Sequence, residues 1–206
     1  MAESGKGKKA GKARKAAEKR TSASAPATEK GRELEVIILG GGCFWCTEAV
    51  FLMLKGVEKV TSGYTGGFVP NPPYELVSTG LTGHAETNRI EYDPDLIPFE
   101  TIMDVFFEMH DPTSLNRQGE DFGTQYRSAV FCASEEQKKA VEAYINKRRK
   151  DYDRPIVTGV RMLDRFYPAE EYHQDYYTKN PQQGYCRLVI SPKLERIRKE
   201  FAKELR

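Results

Sequence analysis

Apolar positions follow two rhythms along the chain. The run Glu35-Val36-Ile37-Ile38-Leu39 predicts a buried strand over 34–39, because its apolar residues are consecutive and few. It leads into three glycines and then a helical pattern over 43–55, where Ala49, Val50, Met53 and Leu54 share one face. Glu58 to Tyr64 predicts a second strand, closed by Thr65-Gly66-Gly67, and Ala85 to Tyr92 a third, ended by Asp93-Pro94. Pro98 opens a helix over Phe99–Met109 with Ile102, Val105 and Phe106 inward. Tyr126–Cys132 reads as a short strand. Ser134-Glu135-Glu136-Gln137 is a capping box for a helix over 134–150, and Ile156–Leu163 is the last strand. From 164 onward aromatics are dense without a period, and a Lys/Arg-rich helix spans 192–205. Strands alternating with helices predict an α/β (α+β) two-layer sandwich, a mixed sheet flanked by helices with a C-terminal coil. Two long loops, 67–83 and 110–125, interrupt it, and loops of that length inside a domain are usually functional.

Charge divides the chain in two. Residues 1–32 hold ten Lys/Arg and three Glu, a net +7, so the chain's +2 leaves −5 for the other 174 residues. Those first residues have no aromatic and one large aliphatic, Met1, too little apolar surface to offset the entropy of ordering. The expectation is a disordered basic tail, 1–32, ahead of a catalytic domain, 33–206. The tail lacks the apolar core of a secretory signal, and no stretch reaches membrane-spanning length. A solvated tail is a simpler reading than nucleic-acid binding. A cytoplasmic, reducing setting follows as an expectation, in which cysteines serve chemistry rather than stapling.

The chemistry concentrates in Gly41-Gly42-Cys43-Phe44-Trp45-Cys46. A thiol at the first turn of a helix meets unpaired N–H groups and the positive end of the helix dipole, which favour the thiolate. Cys43 is therefore expected to have a low pKa, with Phe44 and Trp45 as an apolar wall. A zinc site would need two further ligands, and Cys132, Cys186, His84, His110 and His173 each stand alone. Two readings of the C-x-x-C remain: a thioredoxin-like redox pair, and a single reactive thiol at Cys43 resolved from elsewhere.

Further motifs follow in order: Tyr74-Glu75-Leu76-Val77-Ser78-Thr79-Gly80, Thr82-Gly83-His84-Ala85-Glu86, Asn116 through Ser128, and Asn180-Pro181-Gln182-Gln183-Gly184-Tyr185-Cys186. With Gly-Cys-Phe-Trp they resemble the A-type peptide methionine sulfoxide reductases over roughly residues 34–190. The resemblance implies that Cys43 attacks the sulfur of a methionine-S-sulfoxide, free or in an oxidised protein, while Glu86 donates a proton. It implies that Tyr74 and Tyr126 point hydroxyls at the sulfoxide oxygen, Asp121 holds the polar network around them, and Phe44 and Trp45 enclose the methyl group. A carboxyl must be partly buried to keep its proton near neutral pH. Attack leaves a sulfenic acid, which condenses with a second thiol. Cys186 matches the family's resolving cysteine, thioredoxin would reduce the resulting disulfide, and no bound cofactor or metal is implied; a monomer is expected.

The chain departs from the family in one place near the nucleophile. Where Gly is common it carries Cys46, which is a rival resolving thiol, a relay, or a passive packed residue. No cysteine follows Cys186. An alternative function is a general thiol-disulfide oxidoreductase using Cys43–Cys46, and another is nucleic-acid binding through the tail. Cys132 and the three histidines read as structural, the histidines holding loops by hydrogen bonds.

Overall fold

A computed structural model describes residues 33–206; the expected tail, 1–32, lies outside them. The first strand, β1 (Glu35–Gly40), shows why the sheet serves two layers. Side chains alternate along a strand, so Ile37 and Leu39 enter the main core while Ile38 joins Ala129 and Phe131 in a small cluster on the other face. After β1 come α1 (Phe44–Phe51), β2 (Val57–Thr65), α2 (Tyr74–Val77), β3 (Ala85–Tyr92) and α3 (Phe99–Met109). The short hairpin β4 (Arg117–Gln118) and β5 (Asp121–Phe122) precedes β6 (Ala129–Cys132), α4 (Glu135–Arg148), β7 (Gly159–Met162) and β8 (Phe166–Pro168). The last helices are α5 (Tyr176–Lys179) and α6 (Ser191–Glu200), with a π-helical turn, Cys186–Ile190, running into α6.

Six strands form one sheet in the order β7-β6-β1-β3-β2-β8, antiparallel except for the parallel pair β6–β7. The expected two-layer α/β arrangement with a mixed sheet is what forms. Phe51 of α1, Phe106 of α3, Val141 and Ile145 of α4, and Leu194 and Ile197 of α6 bury against the same sheet face as Ile37, Leu39 and Ile90.

Several expected boundaries move, each for a tertiary reason. The helix expected over 43–55 stops at Phe51. There the chain's own end closes on it: Leu54 bridges Leu205, Lys55 N donates to Glu204 O, and Arg206 N to Met53 O. The C-terminal helix ends at Glu200 for the same reason. The stretch after 164, read as coil, contains β8, which lengthens the sheet by pairing Phe166–Pro168 with Gly63–Thr65. The loop 110–125 contains the hairpin that carries Asp121.

Half of the capping box forms as read, with Gln137 N donating to Ser134 Oγ at 3.1 Å, while the Gln137 side chain reaches one residue further back and accepts from Ala133 N. Ser134→Ala is expected to cost about 1 kcal/mol, a fall in Tm of about 2–4 °C for a domain of this size, checked by calorimetry.

Candidate active site

Three elements bring the thiols and the carboxyl together. β1 ends in a turn at Gly40–Gly42 from which α1 departs. Gly42 has φ +94°, and a Cβ there would lie 2.7 Å from Cβ of Gln118, so only glycine fits. Cys43 caps α1 with an extended backbone, φ −57° and ψ 124°. β3 starts beside it, and the β2–β3 register sets Glu86 opposite Tyr64 and next to the helix start. The Phe44 N–H donates to Glu86 Oε2 at 3.1 Å.

Glu86 is 2% exposed, and burial pushes its carboxyl up to about 8, against the downward pull of the Phe44 N–H. The acid therefore holds its proton at neutral pH, as a buried proton donor must.

Cys43 departs from expectation. Its thiol is raised well above the usual range, first by burial, then by Cys46 and the charge of Glu86. The helix N–H that was expected to favour its thiolate is occupied by the Glu86 carboxyl instead. The lowered thiol is Cys46, drawn down to about 7 chiefly by the hydrogen bond it shares with Cys43. Both sulfurs are buried, one helical turn apart, and the two together release one proton far more readily than two. All four cysteines are free thiols.

The hydroxyls surround this pair. Tyr74 is anchored through its backbone N–H to Glu170 Oε1 at 2.9 Å, and Tyr126 stands at the end of a 3₁₀ turn, Thr124–Tyr126. Burial raises both phenols, Tyr74 to about 12, and the next contribution to each is the charge of Glu86. Both stay protonated donors, and neither hydroxyl has a hydrogen-bond partner among the described residues. Asp121 accepts from Tyr185 Oη at 2.6 Å, and that same hydroxyl lies 3.9 Å from Cys46 Sγ. Asp121 was expected to hold the polar network around Tyr74 and Tyr126; its charge reaches both phenols, and its hydrogen bond is to Tyr185.

Phe44 is 1% exposed and packs on Tyr74, Tyr64 and His173. Trp45 is half-buried, stacked on Tyr176 at 3.7 Å, and its indole N–H donates to His173 Nδ1 at 3.1 Å. Cys186 is fully buried in the π-helical turn; its thiol is raised by burial and by the charge of Cys46. Among the described residues no three His, Cys, Asp or Glu side chains converge where a metal ion would sit, and no helix is long and apolar enough to cross a membrane.

Residues outside the motif reading also support the site. Glu48 on α1 is buried and accepts from the N–H groups of Asp175 and Tyr176, tying the aromatic segment to the helix. Glu170 joins Tyr64 Oη to Tyr74 N. No sequence signal marks struts of this kind, since their partners lie about 100 or more residues away. His84 and His110 hold loops, as expected: His84 bonds Gly67 N and Val69 O, and His110 bonds Phe106 O and Ser128 Oγ. His173 does more than that, since it carries the Trp45 bond and a ring contact with Tyr74 at 4.3 Å. Cys132 is buried in β6, its thiol raised to about 11, which suits an inert core residue.

The family described as "Peptide methionine sulfoxide reductase" matches residues 35–205. A peptide methionine sulfoxide reductase MsrA of Haloquadratum walsbyi is 52% identical over 171 residues, 83% of this chain and 98% of that protein. Mxr1 of Saccharomyces cerevisiae in its reduced form is 36% identical with a TM-score of 0.71, over 75% of this chain and 90% of that one. Mxr1 in complex with Trx2 matches at 25% identity and a TM-score of 0.52, over 76% and 91%. The match runs almost the full length of the described residues and of these relatives. The chain therefore belongs to the peptide methionine sulfoxide reductases, oxidoreductases whose reaction is the reduction of methionine sulfoxide.

Proposed function

We propose that residues 33–206 form a monomeric, cytoplasmic catalytic domain that reduces methionine-S-sulfoxide, free and in oxidised proteins, without a bound cofactor. The observation that carries the mechanism is the buried, protonated Glu86 hydrogen-bonded to the first N–H of the helix that Cys43 caps. A sulfoxide oxygen leaves sulfur only if it is protonated or hydrogen-bonded as a thiolate attacks. Tyr74 and Tyr126, with unengaged hydroxyls, would receive that oxygen, and the apolar surface of Phe44 and Trp45 would take the methyl group. Glu86 gives its proton to the oxygen as Cys43 Sγ attacks. The oxygen's bond to the substrate sulfur breaks, one to Cys43 forms, and the thiol proton of Cys43 replaces the one Glu86 gave. Methionine leaves, and Cys43 is a sulfenic acid.

The position of Cys46 supports a two-step return. Its thiol already hydrogen-bonds Cys43 and ionises near neutrality, so it would displace the hydroxyl as water and form a Cys43–Cys46 disulfide. Cys186, which feels the charge of Cys46, would then exchange into that bond and free Cys43. The Cys46–Cys186 disulfide would be presented to thioredoxin; the structural likeness to Mxr1 in complex with Trx2 supports that choice of reductant.

Thiol counting and disulfide mapping after one equivalent of substrate test this scheme. In Cys186→Ser the first turnover is expected at the normal rate, a Cys43–Cys46 bond accumulates, and dithiothreitol but not thioredoxin sustains turnover. Full activity with thioredoxin in that variant would remove Cys186 from the cycle. A Cys43–Cys186 bond as the first product in the parent chain would reduce Cys46 to a packing residue. Rapid reduction of an insulin-type disulfide, with sulfoxides untouched, would favour the general oxidoreductase instead.

A further inference from the structure

His173 ends a 3₁₀ turn, Glu171–His173, between β8 and α5, and is 1% exposed. Its bond to Trp45 fixes where its proton sits. The indole N–H can only donate, so Nδ1, 3.1 Å away, must accept, and the ring is the neutral tautomer protonated on Nε2. Burial lowers the ring's pKa, which keeps that form at neutral pH. The Nε2–H has no hydrogen-bond partner among the described residues. An orphaned buried donor costs about 1–3 kcal/mol. An apolar side chain would fill the same space without that cost, so packing alone does not account for a histidine here. Its accepting nitrogen does.

The same ring lies among the groups of the site, with its centroid 4.3 Å from that of Tyr74, 5.1 Å from Phe44 and 5.6 Å from Trp45. Trp45 is held in two ways. Its face stacks on Tyr176 at 3.7 Å with the planes 7° apart, and its edge is bonded to His173. A stack resists tilting, yet it leaves the indole free to turn and slide in its own plane. The directional bond to Nδ1 removes that freedom.

We propose that His173 is a positioning residue that sets substrate specificity: by fixing the Trp45 indole beside Phe44, it sizes the site for an S-methyl group and bars longer S-alkyl groups. The proposal rests on the reading of Phe44 and Trp45 as the walls of the methyl pocket. One methylene in an apolar pocket is worth about 10–200-fold in kcat/KM. Rejecting an extra methylene requires a wall that does not give way, because overpacking is costly only where the surroundings cannot relax.

His173→Leu keeps apolar volume and removes the acceptor, whereas His173→Asn offers an amide oxygen near the position of Nδ1. The experiment measures single-turnover product release by full-length enzyme against the concentration of methionine sulfoxide and of ethionine sulfoxide, its S-ethyl homologue. Trp45 is the chain's one tryptophan, so fluorescence anisotropy reports its mobility directly. The parent is expected to favour the methyl substrate by about 10-fold or more, and His173→Leu by only about threefold, because methyl release slows while ethyl release does not. Trp45 should gain fast local motion in His173→Leu. His173→Asn should keep both the preference and the immobile indole. His173→Gln, whose amide falls at the position of Nε2, carries the same expectation as leucine and replaces it if that variant does not fold.

A methyl preference unchanged in the variants without the acceptor, an indole as immobile there as in the parent, or failure of asparagine to rescue would each overturn the role of His173. Trp45→Leu separates the two layers. If it too keeps the methyl preference, the pocket reading beneath the proposal falls. If Trp45→Leu loses the preference and His173→Leu keeps it, only the role of His173 falls.

Discussion

Cys43→Ser is expected to show no sulfoxide reduction above background, a loss of about 10⁴–10⁶-fold, the scale on which removal of a nucleophile acts. The reason is chemical. A serine hydroxyl in this buried site is not ionised, and an oxygen attached to oxygen has no counterpart to the sulfenic acid that stores the transferred atom. The fold should tolerate the change, because serine is smaller, Cys43 has no side-chain capping bond to lose, and the turn before it is held by Gly42. Single-turnover methionine release, with circular dichroism as a control for folding, checks this. More than a trace of methionine from a folded variant would require another nucleophile, and Cys46, on the first turn of the same helix, would be the one to test.

Glu86→Gln should slow methionine release by about 10²–10⁴-fold, the usual contribution of a general acid, with little change in apparent KM. The amide can still accept from the Phe44 N–H, so the geometry of the helix start survives while the proton is lost. The parent enzyme's release step should fall as pH rises through about 8, where Glu86 loses its proton, and the variant's slow rate should not share that decline. Loss confined to KM would count against Glu86 as the acid.

The same substitution should stabilise the fold. A carboxyl raised from its ordinary value to about 8 by burial holds a proton in the folded state that the unfolded chain has already released above about pH 4.5. Stability therefore declines as pH rises from about 4.5 to 8, by an amount on the order of a few kcal/mol. Glutamine has no such proton. Its advantage in Tm over the parent should be absent near pH 4 and largest at pH 8 or above. A variant with lower Tm at pH 8 would show that the bond to Phe44 N matters more than the burial of charge.

The sequence alone was enough for the local layer and for the family. Period-two and period-3.6 patterns gave most strands and helices, since those patterns report which side of an element is buried, and every element needs a dry side. The Ser134–Gln137 cap was legible because its partners lie three residues apart. The family motifs marked Cys43, Glu86, Tyr74, Tyr126 and Asp121, and the fold brings them within electrostatic reach of one another. Tertiary structure decided what depends on partners distant in sequence. It ended α1 early by closing residues 204–206 over it, and it made an edge strand of Phe166–Pro168, whose three residues are too few to show a period. It also set the protonation states. A helix start predicts a low thiol pKa only if its N–H groups remain free and water is near; burial and the Glu86 carboxyl remove both conditions at Cys43, and the ionisable sulfur becomes Cys46. Desolvation is a property of everything packed around an atom, so no window of sequence around Cys43 contains it.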